Sequence, residues 1–160
     1  MISVTVLALG KLKEPYMRQF CAEYEKRLSA FCKLNLVELT PARLPDNPSK
    51  SEIAAALKKE AALLRAKIPQ GAYVFSMCIE GKQMSSPEFS QKLTSLAISG
   101  SSHVVFILGS SFGLDDEIKK LSDCRFSMSE MTFPHQMARV MLLEQLYRAF
   151  QIANGGKYHK

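Results

Sequence analysis

Three histidines, a glycine-punctuated loop and a polar tail are the places in this 160-residue chain where side-chain chemistry can concentrate. His135 follows Pro134 at the head of a long apolar segment. The positive end of a helix starting there disfavours a protonated ring, which favours a neutral imidazole able to accept a proton. A structural hydrogen-bond partner is an equally good reading of the same residue. His103 stands among serines ahead of a strand and reads as a surface residue. His159 belongs to the terminal Tyr158-His159-Lys160, which follows the paired glycines Gly155-Gly156. A tail this polar frays by default. An aromatic ring, an imidazole and a cation behind a hinge can instead close over a nucleobase and its phosphates.

The loop Gly109-Ser110-Ser111-Phe112-Gly113-Leu114 follows an apolar strand and precedes a helix. Glycines there let backbone approach a ligand and offer N–H groups to it, although an ordinary strand-to-helix turn has the same composition. It matches neither GxGxxG nor GKS/GKT, which counts against nicotinamide dehydrogenases and P-loop nucleotidases. No GxSxG elbow, HExxH helix or glycosidase-like carboxylate pair is present. Cys21, Cys32, Cys78 and Cys124 lie 11, 46 and 46 residues apart, so no CxxC pair or zinc-ligand cluster forms and no metal is expected. Cys21, Cys78 and Cys124 sit in apolar patterns, and buried reduced thiols are expected.

Twenty-one basic against fifteen acidic side chains leave a net charge of +6, which favours a polyanionic partner without identifying one. Arg139, Arg148, Lys157 and Lys160 against Glu144 make the C-terminal stretch positive, with Arg148 also the natural i+4 partner of Glu144. The 47% apolar and 22% charged composition excludes disordered and collagen-like chains. No 18-residue apolar run is present, and the N-terminus lacks the basic start of a signal peptide, so a cytoplasmic protein is expected.

These residues need elements to hold them. Residues 2–8 alternate as a strand, and Pro15 suits the first turn of a helix whose Met17, Phe20, Cys21, Tyr24, Leu28 and Phe31 form one buried stripe. Residues 34–39 form a second strand, followed by a proline-rich loop to Pro48. Ser49 and Glu52 make a capping box before Ile53, Leu57, Ala61 and Leu64. Residues 72–79 and 104–108 are continuous apolar runs, as expected of strands covered on both faces. Glu80-Gly81-Lys82 is expected to turn the chain. A helix from Ser86-Pro87-Glu88 turns Phe89, Leu93, Leu96 and Ala97 inward and stops at Gly100. Phe126-Ser127-Met128 is a weaker final strand. The last helix, from Pro134 to Asn154, is apolar on more than one stripe, so it needs cover from two sides and points to a partner subunit. The pattern predicts one α/β domain over residues 1–160, with a mostly parallel sheet of five to six strands and helices on both faces. Ligands of such sheets bind beyond the carboxyl ends of the strands, here after Ile79, Leu108 and Met128.

Three blocks carry a resemblance. Met1-Ile2-Ser3-Val4 through Gly10-Lys11-Leu12-Lys13-Glu14, then Ile107-Leu108-Gly109-Ser110-Ser111-Phe112-Gly113-Leu114, and Met131-Thr132-Phe133-Pro134-His135-Gln136 through Glu144-Gln145-Leu146-Tyr147-Arg148-Ala149 to Tyr158-His159-Lys160 resemble the RlmH methyltransferases along the whole chain. The resemblance implies a SPOUT-class homodimer with a C-terminal trefoil knot. It also implies S-adenosylmethionine as cofactor and methylation of N3 of a pseudouridine in bacterial 23S ribosomal RNA, within the ribosome. Carried over by residue, the cofactor contacts fall on Met77, Gly109, Met128, Ser129, Glu130, Met131, Thr132 and Phe133. Ser110 replaces a second glycine common in relatives, with a small loss of loop freedom expected. An N3–H of this type is a weak acid, so a base or cation must remove or offset its proton, and His135, Tyr158, His159 and Lys160 are the groups of suitable type. The tail is expected to act on the neighbouring subunit's site. Two other readings remain compatible with the pattern: a flavodoxin-like nucleotide-binding module, and a catalytically silent ribosome-binding protein.

Overall fold

The computed structural model describes residues 1–160. Its elements are β1 (Ile2–Leu9), α1 (Pro15–Leu28), β2 (Cys32–Leu39), α2 (Lys50–Arg65), β3 (Tyr73–Gln83), α3 (Ser86–Ile98), β4 (His103–Leu108), α4 (Asp116–Leu121), β5 (Cys124–Ser127) and α5 (His135–Ala153). The five strands form one sheet in the order β2-β1-β4-β3-β5, and every neighbouring pair is parallel. The expected mostly parallel sheet is thus wholly parallel. Flavodoxin-like sheets run 2-1-3-4-5, so the exchange of β3 and β4 separates this fold from that alternative.

Strand periodicity decides which side chain goes to which face. In β1, Val4, Val6 and Ala8 point to one core and Leu7 and Leu9 to the other. In β4, Val104, Phe106 and Leu108 share the first core, and Val105 and Ile107 the second. The first core is closed by α1, α3 and α5, and the second by α2 and α4. Crossovers toward β2 carry their helices on the first face and those toward β5 on the second, as a single crossover hand requires. Rings fill the first core under β3: Phe75 stacks on Phe106 at 4.7 Å and Phe89 on Phe126 at 5.0 Å. No helix is long and apolar enough to cross a membrane.

The capping box at Ser49 and Glu52 forms as expected, and a second joins Ser85 to Glu88 ahead of α3. Several local expectations are corrected. Glu80-Gly81-Lys82 does not turn the chain: β3 runs on to Gln83, and its pairing with β5 shifts register between Met77 and Lys82. Gly81 allows the close approach, since a Cβ there would lie 2.7 Å from the Arg125 backbone. β5 begins at Cys124 and ends before Met128. His103 opens β4 and is half-buried, its ring 2.8 Å from the Thr5 hydroxyl, because the neighbouring strand offers that partner. Cys21 and Cys32 are buried, but Cys78 and Cys124 are only half-buried, lying toward the open edge of the sheet. Ala97 faces water, and Phe20 in the α1 stripe is 56% exposed.

Candidate active site

Three chain segments, from the carboxyl-terminal parts of β3, β4 and β5 and the loops that follow β4 and β5, border a cavity of about 760 Å³. The first, residues 77–80, is the stretch of β3 over which its pairing with β5 shifts register. The second, residues 108–114, folds back on itself. The Gly113 N–H donates to the Ser110 carbonyl at 2.9 Å, and Gly113 has a φ of +83°, which favours glycine. A Cβ on Gly109 would fall 2.4 Å from the Gly113 carbonyl oxygen. The loop therefore needs glycine at 109 for its own closure, whether or not a ligand is present.

The third segment runs from Phe126 to α5. The Ser127 hydroxyl donates to the Ser129 carbonyl at 2.9 Å, and the Ser129 hydroxyl accepts from the Met131 N–H at 3.0 Å. This turn sets Met128, Ser129, Met131, Thr132 and Phe133 along the cavity wall and leaves Glu130 exposed and outside it. His135, the first residue of α5, completes the wall. Its ring packs toward Gly10, where an added Cβ would be 3.6 Å from Nε2.

The head of α5 is fastened to the loop after β1. Buried Arg139 donates to the Gly10 carbonyl and to the Glu38 carboxylate, both at 2.9 Å, and the Gln136 side chain accepts from the Lys13 N–H at 3.2 Å. At the opposite rim Lys119 of α4 pairs with Glu80, and that bond holds the Glu80 carboxyl below its usual range. Burial pushes the thiol of cavity-lining Cys78 upward, so this position offers no ready thiolate.

The positions singled out from sequence divide clearly. Met77, Gly109, Met128, Ser129, Met131, Thr132, Phe133 and His135 line one cavity. Glu130, Tyr158, His159 and Lys160 do not. The tail lies outside the cavity of its own chain and docks on α5 through Tyr158 and His159. The Tyr158 hydroxyl donates to Glu144 at 3.1 Å, the Arg148 guanidinium lies 4.7 Å from the centre of the Tyr158 ring, and His159 Nδ1 is 3.4 Å from Arg148. A hydrogen bond with Tyr24, then burial and Glu144, push the Tyr158 phenol's pKa up. Sequence reading missed Glu80, Lys119 and Ala138 at the cavity. Ala138 stands three residues after His135 on the same helical face, so helical spacing would have found it, whereas Lys119 arrives only through the placement of α4.

A family model described as "Predicted SPOUT methyltransferase" matches residues 2–159. The chain is 44% identical over 157 residues to the ribosomal RNA large subunit methyltransferase H of Acetivibrio thermocellus, covering 98% of this chain and 99% of that one. It is 43% identical over 159 residues to the protein of that name from Ruminiclostridium cellulolyticum, covering 99% and 100%. Among solved structures, a probable methylase family protein from Haemophilus influenzae Rd KW20 superposes with a TM-score of 0.57 at 12% identity, covering 99% of this chain and 71% of that one. The fold, the full-length match and two relatives above 40% identity agree, and this chain belongs to the SPOUT methyltransferase family.

Proposed function

We propose that this chain, a single SPOUT domain, transfers a methyl group from S-adenosylmethionine to N3 of a pseudouridine in 23S ribosomal RNA on the assembled ribosome, in the cytoplasm and as a homodimer. The carrying observation is the cavity at the carboxyl ends of three parallel strands, closed by the glycine loop and the segment leading into α5. The names of the full-length relatives support ribosomal RNA as the substrate.

The cavity suits the cofactor. Its volume lies within the range of about 300–1,000 Å³ typical of small-molecule sites. Met77, Met128 and Phe133 give apolar surface for a purine and the methylene groups of an amino-acid chain, and the backbone of residues 109–113 gives polar groups for its ends. Met131 and Thr132 close the wall beside them. When bound, S-adenosylmethionine supplies an electrophilic methyl carbon on a sulfonium. The protein has to align the nucleobase with that carbon and offset the N3 proton. His135 is the in-chain candidate for the proton, because it lines the cavity at the head of α5 and carries an imidazole.

Tyr158, His159 and Lys160 reach a site only across a subunit boundary. Supporting this, the α1–α5 face leaves Tyr16, Phe20 and Met137 between 42% and 56% exposed, and a groove of about 200 Å³ runs between these helices beside Glu144, where the tail docks. A second copy on this face would place each tail at the interface. The passage of residues 128–134 from edge strand β5 back to α5 is where the trefoil knot implied by the resemblance would be threaded.

The test incubates the protein and labelled S-adenosylmethionine with ribosomes from a strain lacking this modification, and separately with naked 23S rRNA. Label in ribosomal RNA with a clear preference for ribosomes is expected. No transfer to either would overturn the proposal, and recovery of FMN from the purified protein would favour a flavin module instead.

A further inference from the structure

The cofactor loop has an anchor outside the cavity. Glu60, in the middle of α2, is only 3% exposed and neighbours core residues Ala61 and Leu64, yet its carboxylate is not part of an ion pair. Oε1 accepts from the Ser110 hydroxyl at 2.8 Å, and Oε2 accepts from the Ala42 N–H at 3.1 Å. Burying a carboxylate costs free energy that packing alone does not return, and an apolar residue would fill the same space without that cost. The two hydrogen bonds join α2 to the loop after β2 and to the glycine loop after β4.

Ser110 is held twice. Its carbonyl accepts from Gly113 within the loop, and its hydroxyl is held by Glu60 from beneath. Leu114 fixes the far end of the loop in the second core, and between Gly109 and Gly113 the Ser110 side chain is the one bonded to a helix. We infer that Glu60 is a positioning residue for S-adenosylmethionine binding, acting through Ser110 to keep the loop of residues 109–114 in the conformation that closes the cavity. The inference rests on the proposed cofactor. It also gives Ser110 a role: the extra side chain, in place of a glycine, is a handle for α2.

Loss of the handle lowers the fraction of molecules with a competent loop, and apparent affinity falls by that fraction. Gln at position 60 keeps both bonds, because its carbonyl can accept from Ala42 and its amide can donate to Ser110, whose hydroxyl also accepts. Leu keeps neither.

The experiment titrates S-adenosylmethionine by calorimetry into the full-length protein and its Ser110→Ala, Glu60→Gln, Glu60→Leu and Glu60→Leu/Ser110→Ala variants, with hydrogen exchange of residues 109–114 measured without ligand. Expected are a roughly tenfold weaker Kd for Ser110→Ala and Glu60→Leu, near wild-type affinity for Glu60→Gln, and a double variant no weaker than Glu60→Leu. Exchange in residues 109–114 rises in step with Kd. Wild-type affinity and exchange in Ser110→Ala would overturn the inference, as would single effects that multiply in the double variant. If Glu60→Leu does not fold, Ser110→Ala and Glu60→Gln decide alone. If the wild-type protein does not bind S-adenosylmethionine, the proposed cofactor fails, and the exchange data still decide whether Glu60 holds the loop.

Discussion

Gly109 is the residue at which cavity and loop geometry coincide. A side chain there meets the Gly113 carbonyl before it meets any ligand, so even Gly109→Ala has to reopen the loop. We expect at least a tenfold loss of S-adenosylmethionine affinity with little change in melting temperature, because residues 109–113 lie outside both cores, between core residues Leu108 and Leu114. Calorimetric titration and a thermal melt of the same sample check both parts. The thiols give a pH prediction. Burial pushes Cys21 and Cys32 each up to about 11, so the folded state holds these protons more tightly than the unfolded chain. Their contribution is complete below the unfolded thiol range, near pH 8.5, and is lost as pH rises from there toward about 11. Melting temperature should fall across that window, and Cys21→Ala/Cys32→Ala should flatten the fall. Residue types alone pointed to His135 and the glycine loop, but gave no sign that His103 would find Thr5 across the sheet.

At the scale of elements, the ties among β1, β2 and α5 make an asymmetric prediction. Arg139 is buried, while the Glu38 side chain is 40% exposed. Glu38→Ala leaves a buried guanidinium with only the Gly10 carbonyl and should cost about 3 kcal/mol. Arg139→Met leaves an exposed carboxylate and one unpaired carbonyl, and should cost about 1–2 kcal/mol. Urea denaturation of the two variants checks the order, which reverses if the pair's stability comes from packing of the Arg139 stem. Helix limits and caps were legible because they depend on local residues such as Ser49, Glu52 and Gly100. The continuation of β3 through Glu80-Gly81-Lys82 was not, because it depends on Arg125 of another strand. The exchange of β3 and β4 in the sheet was equally out of reach, since crossover length does not reveal which neighbour a strand joins.

For the whole molecule, the uncovered α1–α5 face predicts that sedimentation at micromolar concentration will find a dimer, and that Phe20→Glu will weaken it. The shared-site claim is tested with purified heterodimers in which one chain is wild type and the other carries both Gly109→Ala and deletion of residues 158–160. Action of the tail on the partner leaves no complete site, so activity should be near zero, whereas about half of the wild-type dimer's activity would mean that each tail serves its own chain. In the sequence, the expectation of a partner rests on the apolar last helix. The docking of Tyr158 on Glu144 needed the structure, because it depends on how Tyr24, Tyr147 and Arg148 surround that ring. The central claim is the reaction itself. Its most direct measurement is nucleoside mass spectrometry of 23S rRNA after ribosomes from a deletion strain have been incubated with this protein and methyl-labelled S-adenosylmethionine. A single labelled nucleoside, N3-methylpseudouridine, is the predicted result; label on any other nucleoside, or none in the rRNA, would contradict the account.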